Sequence, residues 1–239
     1  MEYKPLRMQY LDYNEKNGML KNIIYVLTLK KIPKLSWSSP YEYNLKPKKI
    51  TFFYFVFGLI LFGLGETLLV TANIGVSPWF VLHQGLSFES GYTIGITTFI
   101  VSVIVLLFWF PLKQKPGIGT ILNAILISLV VDLSLPFLPK PDSVLLQLFQ
   151  VFFGIFIIGI GSGFYLAANL GPGPRDGLMT GINKQTNLSF SLIRTVLELS
   201  VVALGFYLGG VIGIGTILYA LGIGFSVSLG LFLVGKFFK

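Results

Sequence analysis

The chain has 239 residues, of which 54% are hydrophobic and only 12% are charged, and its mean hydropathy is +0.77. A soluble domain is about one quarter charged, so this chain lacks the polar side chains to cover a water-facing surface and is predicted to lie in a membrane. Cysteine is absent, which excludes disulfides and thiolate chemistry. The net charge of +8 does not indicate nucleic-acid binding, because +6 of it lies in residues 1–50, which hold ten Lys/Arg and four acids.

The N-terminal segment, residues 1–49, is rich in Lys, Tyr and Asn. Its one apolar stretch, 23–29, is too short to span a bilayer, and no small-residue cleavage site of a signal peptide follows it. We expect a basic cytoplasmic tail, partly disordered, that rests on anionic headgroups. The alternative is a translation start at Met8 or Met19, which would shorten this tail.

Six hydrophobic runs follow, each able to cross about 30 Å of hydrocarbon. The second and third are short, so we expect tilt or local thinning of the bilayer. Backbone amides in lipid must be satisfied within each segment, which predicts an all-α polytopic membrane protein with six transmembrane helices. The approximate bounds are 50–72, 92–110, 118–135, 144–168, 189–209 and 212–235.

The membrane part repeats itself. At a constant offset of 96 residues, 58–124 align with 154–220 without gaps, with 19 identities in 67 positions. Each unit holds three spans plus a short segment after the first, and an odd number of spans makes the second unit enter the bilayer from the opposite side. The sequence therefore predicts two inverted three-helix repeats, at 50–137 and 144–235, each with a short extra helix.

The Lys/Arg distribution supports this topology independently, because translocated short loops avoid basic residues. With the N-terminus inside, sixteen of the 18 Lys/Arg lie on the inner side, Lys140 lies in an outer loop, and Arg194 lies within the fifth span. We therefore expect both termini in the cytoplasm. Inverted repeats are typical of many secondary transporters, since exchanging the conformations of the halves makes two related states.

The short segment after the first span of each unit begins with a proline, Pro78 or Pro174. Ser77 or Gly173 can serve as N-cap, and proline suits the first helical position. If these helices dip into the membrane, their positive N-terminal ends face the middle from opposite sides and suit an anionic group. The alternative is a connector that lies flat at the interface, anchored by Trp79.

Ionisable groups inside the spans are functional candidates, because burying them in a bilayer is costly. Arg194 and Glu198 lie four apart on one helix face, where they form either part of a binding site or an ion pair that fixes helix registry. For Glu66, deep in the first span, the alternatives are proton or cation coupling and a hydrogen bond to a neighbouring helix. Asp132 lies close to the outer end of the third span, at the interface.

A substrate or coupling site between the halves would draw on charged and amide side chains. In this prediction Arg194 binds an anionic substrate group or holds Glu198 charged, and Glu66 or Glu198 is the proton-linked carboxylate. The complete candidate set is Glu66, Asn73, Asn169, Arg175, Asp176, Arg194 and Glu198.

Catalysis has little support. His83 is the sole histidine, so a multi-histidine metal site is excluded, and there is no phosphate-cradling glycine loop. We expect no enzyme, no catalytic residue, no cofactor and no metal; an intramembrane enzyme would need His83 or an acid pair in a pocket. The expected partners are the lipid bilayer, an unknown small solute or ion, and a second copy of the chain bound through glycine-rich faces such as Gly159-x-x-x-Gly163 and Gly205-x-x-x-Gly209.

Several motifs occur together in the second half: Gly-Pro-Gly-Pro-Arg-Asp-Gly-Leu-Met at 171–179, Arg194-Thr195 with Glu198, and Gly-Ile-Gly-Thr at 213–216. With Pro78-Trp79 and the following Val-Leu-His-Gln-Gly-Leu, they resemble the YczE family of bacterial integral membrane proteins, related to YitT. The resemblance covers about 50–235 and implies a bacterial cytoplasmic membrane location, a polytopic fold and no established substrate. The family motif usually has Asp after Pro-Trp, where this chain has Phe80, which leaves Asp176 alone.

The sequence therefore predicts a small secondary transporter or exporter with its site between the halves. The main alternative is a non-transporting scaffold or regulatory factor that acts through a protein partner, and it predicts a closed bundle without a cavity. Convergence of Arg194, Glu198 and Glu66 on one solvent-reachable pocket would favour the transporter.

Overall fold

A computed structural model describes residues 32–238 of the chain. The proposed starts at Met8 and Met19, and most of the predicted basic tail, lie outside these residues. Within 32–238 the fold is all-α, with eight helices and no strand. The helices are α1 (Lys49–Ala72), α2 (Pro78–Ser90), α3 (Ile94–Trp109), α4 (Ile118–Ser134), α5 (Val144–Ala168), α6 (Pro174–Thr186), α7 (Phe190–Tyr207) and α8 (Ile214–Phe237).

Four of the described helices, α1, α5, α7 and α8, are long and apolar enough to cross a membrane. A fifth span results if α2 and α3, which meet at an angle of 114°, are counted as one broken span. The helix α4 is apolar but has only 17 residues. Each predicted run therefore coincides with a helix, while length and composition alone give four to five spans instead of the six expected.

The second set of four helices is spaced like the first. The helices α2, α3 and α4 begin at residues 78, 94 and 118, and α6, α7 and α8 begin at 174, 190 and 214, in each case 96 residues later. A helix start depends on local cues such as a leading proline or a cap, and those cues recur at the same offset in the sequence. The internal similarity of the sequence thus extends to the positions of the helices.

The helices α1 and α5 form the centre of the core and meet at glycines. A Cβ atom on Gly58 would lie 2.7 Å from the carbonyl oxygen of Gly161, and one on Gly65 would lie 2.7 Å from that of Gly154. Only glycine allows so close an approach of two helix backbones. The residue numbers of the α5 contacts fall as those of the α1 contacts rise, so the two helices are antiparallel.

The predicted packing role of Gly159 and Gly163 is confirmed, and it is exercised inside the chain. A Cβ atom on Gly159 would overlap the backbone of Ser226, and one on Gly163 would lie 2.6 Å from a backbone carbon of Gly230. The hydroxyl of Ser226 donates across the same contact to the carbonyl of Ile155, at 2.8 Å. The helices α5 and α8 are therefore in close contact along this glycine face. A homo-oligomer remains a prediction.

Two hydrogen bonds tie the halves together reciprocally. The backbone N–H of Gly119, at the start of α4, donates to the carbonyl of Leu170 at 2.9 Å, and that of Gly215, at the start of α8, donates to Ile74 at 2.8 Å. Gly119 and Gly215 are 96 apart in the sequence, and so are Ile74 and Leu170. The repeated Gly-Ile-Gly-Thr string of each half thus binds the repeated Asn-(Ile/Leu)-Gly turn of the other.

The described part of the N-terminal segment, residues 32–48, is packed against one end of the bundle. Trp37 is buried, and its indole N–H donates to the carbonyl of Phe238 beyond the end of α8. The backbone N–H of Ser39 donates to Ala168 at the end of α5, and the Asn169 amide donates back to the Ser39 carbonyl. The start of α1 and the ends of α5 and α8 therefore lie together at this end of the bundle.

Candidate functional site

A turn of unusual backbone conformation brings each proline-led helix into the bundle. Asn73 and Asn169 end α1 and α5 in the left-handed region, with φ of 56° and 55°. Gly75 and Gly171 follow with φ of 112° and 110°, a conformation that favours glycine. The chain thereby reverses before α2 and α6. Asn73 and Asn169 act as helix ends here, and neither borders a cavity described below.

The first eight residues of α2 are buried. Trp79 is only 6% exposed, so it is not an interfacial anchor, and α2 does not lie on the surface as an amphipathic connector. Proline stands at the start of both α2 and α6, as predicted. Ser77 is the N-cap residue of α2, but its hydroxyl does not cap the helix.

The N-terminal ends of α2 and α6 border one cavity of about 60 Å³, which we call the central cavity. From α2 it receives Trp79, Phe80 and His83, and from α6 it receives Arg175 and Asp176. Side chains of α1, α3, α4 and α5 complete the wall. The site thus combines elements from both halves of the chain.

Glu66 of α1 is fully buried on the central cavity. The Ser77 hydroxyl donates to its Oε2 atom at 2.8 Å, whereas its Oε1 atom has no hydrogen-bond partner. Since Ser77 is the N-cap of α2, the positive end of that helix faces this carboxyl group. A buried polar atom without a partner is costly and calls for an explanation, such as a bound ligand.

Trp79 supplies a second unpartnered polar atom to the same cavity. Its indole N–H is buried and makes no hydrogen bond. Nearby, His83 Nδ1 lies 3.0 Å from the Thr98 hydroxyl, and the imidazole packs edge-on against Phe80 with a centroid separation of 4.9 Å. The cavity wall therefore offers one free donor and one free carboxylate oxygen between aromatic rings.

Arg175 and Asp176, at the start of α6, sit where the cavity continues toward α7. The Arg175 guanidinium lies over the Phe62 ring, 5.6 Å from its centroid, and its Nε atom is 3.9 Å from Asp176 Oδ1. The Tyr165 hydroxyl donates to Asp176 Oδ2 at 3.1 Å. Asp176 also stands in the first turn of α6, where a carboxylate stabilises the helix dipole.

A second, lateral cavity of about 200 Å³ adjoins the first and opens between α7 and α8. Arg194 and Glu198 line it, and the Arg194 Nε atom donates to Glu198 Oε1 at 2.9 Å, so the expected pair forms. The two cavities share four bordering residues: Phe62, Tyr165, Arg175 and Asp176. Glu66, Arg194 and Glu198 are therefore distributed over two adjoining cavities instead of converging on one pocket.

The two halves of the chain differ in whether their last two helices pack together. In the first half α3 packs along α4. Asp132 of α4 accepts a hydrogen bond from the Gly95 backbone N–H at 2.7 Å and another from the Thr93 hydroxyl. In the second half α7 and α8 do not pack in this way. Ser228, the residue 96 positions after Asp132, donates to the Gly224 carbonyl of its own helix at 3.0 Å and makes no side-chain bond to another helix within residues 32–238.

Some cavity residues were missed by the sequence analysis. Asn123 and Tyr165 border the central cavity. They were missed because neither carries a charge, which is the signal that makes a residue stand out within an apolar run. Trp79 could have been found, since the offset of 96 pairs it with Arg175, a predicted site residue. Among residues 32–238, no three His, Asp or Glu side chains are grouped to hold a metal ion.

A bundle of long apolar helices with ionisable side chains gathered in its interior defines a polytopic integral membrane protein. Residues 49–230 match a family described as one of unknown function, DUF6198, and the chain belongs to that family. No solved structure matches it.

Three bacterial relatives cover most of this chain. An uncharacterized protein of Haemophilus influenzae is 38% identical over 205 residues, 86% of this chain and 93% of the relative. The uncharacterized membrane protein YczE of Bacillus subtilis is 34% identical over 171 residues, 71% of this chain and 79% of its own length. YyaS of the same organism is 30% identical over 172 residues, 70% and 85% of the two chains. The YczE-like resemblance seen in the motifs is confirmed.

Proposed function

We propose that the protein is a small secondary transporter or exporter of the bacterial cytoplasmic membrane, with its substrate site between two inverted repeats. The observation that carries the proposal is the central cavity, where the N-terminal ends of α2 and α6 meet around the buried Glu66. Discontinuous helices whose ends point at a central site are a feature of secondary transporters. A scaffold would be expected to be a closed bundle, and the two cavities argue against that alternative. The expected convergence on one pocket is not met, because Glu66 lines the central cavity while Arg194 and Glu198 line the adjoining lateral one.

The inverted arrangement has three kinds of support. Corresponding helices begin 96 residues apart, α1 and α5 are antiparallel, and the bonds of Gly119 and Gly215 exchange partners between the halves. A reciprocal exchange of this kind is expected for two units related by a twofold axis. The contact of Trp37 with Phe238 at one end of the bundle agrees with both termini lying on one side of six spans.

The difference between the halves supports alternating access. With the N-terminus in the cytoplasm, the N-terminal end of α7 faces the cytoplasm, so the lateral cavity is an inward opening. The corresponding gap between α3 and α4 is closed by Asp132, which would then form the outer gate. In the opposite state the halves exchange these conformations, and α3 separates from α4 while α7 closes on α8.

The proposal assigns a role to each charged residue. Glu66 binds the transported species, and Arg175 with Asp176 forms the passage between the cavities. Arg194 and Glu198 line the inward path, where they are partly exposed, at 44% and 26% of the side chain. No enzymatic step is part of this function.

Flux into proteoliposomes tests the proposal. We expect solute or proton flux in the wild type, and its loss on Glu66→Gln, Glu198→Gln and Arg194→Ala. The matched control is Glu89→Gln, which neutralises an exposed carboxyl group at the far end of α2 and should leave the flux unchanged. A flux that Arg194→Ala and Glu198→Gln leave at the wild-type level would count against the proposal.

A further inference from the structure

Glu66 is the carboxyl group on the two cavities that has no cationic partner in contact with it. Among the described residues, Arg175 lies within 4 Å of Asp176 and Arg194 within 4 Å of Glu198, and no cationic side chain lies that close to Glu66. Arg175 of α6 and Tyr219 of α8 act on Glu66 from a longer distance, across the cavity. Its carboxyl group is nevertheless fully buried, with the Oε1 atom unpartnered. A buried carboxylate with no cation in direct contact is costly, so this group carries either a proton or a cation.

The N-terminal ends of α2 and α6 do not make the central cavity favourable for an anion. The positive end of α2 already faces Glu66 through Ser77, and the positive end of α6 has Asp176 in its own first turn. An anion entering the central cavity would therefore meet two carboxyl groups, and Arg175, the one cationic side chain that the described part of the chain places on its wall, already lies 3.9 Å from Asp176. The ligand inferred below therefore differs from the anionic group that the sequence led us to expect at the two helix ends.

The walls of the cavity favour an organic cation over a metal ion. Trp79, Phe80 and Tyr165 border it, and aromatic faces attract ammonium groups. A hard metal cation needs about six oxygen ligands, whereas among residues 32–238 Glu66 Oε1 is the one fully buried side-chain oxygen without a hydrogen-bond partner. The volume of about 60 Å³ suits a molecule of a few heavy atoms.

We propose that the central cavity binds a small protonated primary amine, whose ammonium N–H donates to Glu66 Oε1. In the empty site Glu66 holds a proton; the arriving ammonium ion forms the ion pair, and that proton leaves to solvent, so charge balances at each step. The site thus exchanges one proton for one amine cation. This inference rests on the proposed function only for its physiological use, because binding itself requires no transport.

Binding to purified protein in detergent tests the site, with methylammonium as the probe and Trp79 as the reporter by fluorescence. We expect a saturable change with methylammonium and none with acetate, sodium ion or tetramethylammonium, the last of which lacks an N–H donor. Trp79→Phe should remove the signal, because Trp37 and Trp109 lie off the cavity. Glu66→Gln should weaken binding at least about tenfold, and the control Glu89→Gln should not.

Proton release provides a second measurement that needs no variant. In weakly buffered solution, methylammonium binding to the wild type should release about one proton per site, and the apparent Kd should rise as the pH falls. Acetate binding, equal methylammonium affinity in Glu66→Gln, or no proton release would overturn the inference. Amine binding without flux in proteoliposomes would leave the site standing and refute transport, whereas flux of an anion without amine binding would do the reverse.

Discussion

Asp132 allows the proposed gate to be tested by a single substitution. Its carboxylate accepts two hydrogen bonds from the first turn of α3, one from the Gly95 N–H at 2.7 Å and one from the Thr93 hydroxyl. Asp132→Ala removes both bonds and the carboxylate at the positive end of that helix. We expect the closed contact of α3 with α4 to lose stability relative to the separated state.

The magnitude follows from the two bonds. A hydrogen bond to a charged group contributes about 1.5–3 kcal/mol, and a carboxylate at a helix N-terminus about 0.3–1 kcal/mol. Because Asp132 is only half-buried, solvent replaces part of this, and we expect a net loss of about 2–3 kcal/mol. The population of the outward-open state should then rise by roughly 30- to 150-fold relative to the closed state. Asp132→Asn, which keeps one oxygen acceptor, should give a smaller rise.

Cysteine labelling measures this population. The chain has no cysteine, so each introduced thiol is a unique target. Ser102→Cys reports on the central cavity from α3, and Ser162→Cys reports on the lateral cavity from α5. With an impermeant maleimide, Asp132→Ala should speed external labelling at 102 and slow cytoplasmic labelling at 162.

The opposite changes at the two positions are the diagnostic result. Faster labelling at both positions would mean that the substitution loosens the whole bundle instead of opening a gate. An external labelling rate at position 102 that stays the same in Asp132→Ala would refute the assignment of the outer gate.

Two further predictions use unfolding measured in detergent. Gly177→Ala should lower the free energy of unfolding by about 1–3 kcal/mol, because the new Cβ would overlap the Trp109 ring, whereas Gly224→Ala, which meets open space, should be neutral or slightly stabilising. Arg194→Ala and Glu198→Gln should each change the free energy of unfolding by less than about 1 kcal/mol, since the pair is partly exposed. Both substitutions should abolish flux. A large loss of stability without loss of flux would indicate an ion pair that fixes helix registry instead.

Local patterns predicted much of the fold. The prolines at 78 and 174 begin helices, because a missing N–H at the first helical position breaks no bond. The glycine face of α5 packs against another helix as its spacing indicates. These features depend on residues near one another in the chain, and the offset of 96 residues supplied an internal check.

The site was harder to predict, because its contacts join residues far apart in the chain. Asn73 and Asn169 were chosen as polar groups at span ends, and they do end α1 and α5, in the left-handed conformation, but neither borders a cavity. Trp79 resembled an interfacial anchor, although its burial depends on helices that follow it. Hydropathy likewise gave no sign that the polar segment 32–48 packs on the bundle, since it does so through one buried side chain, Trp37, and hydrogen bonds to distant helix ends.

The most direct test of the account is the side of the membrane on which corresponding loops lie. Single cysteines at Lys113 and Lys184, one in each half, and at Lys140 between the halves can be labelled in whole cells with an impermeant maleimide. Two inverted repeats predict that positions 113 and 184 are protected until the cells are opened, whereas position 140 reacts from outside. Labelling of 113 and 184 from opposite faces of the membrane would contradict the inverted repeat, and with it the central site built on it.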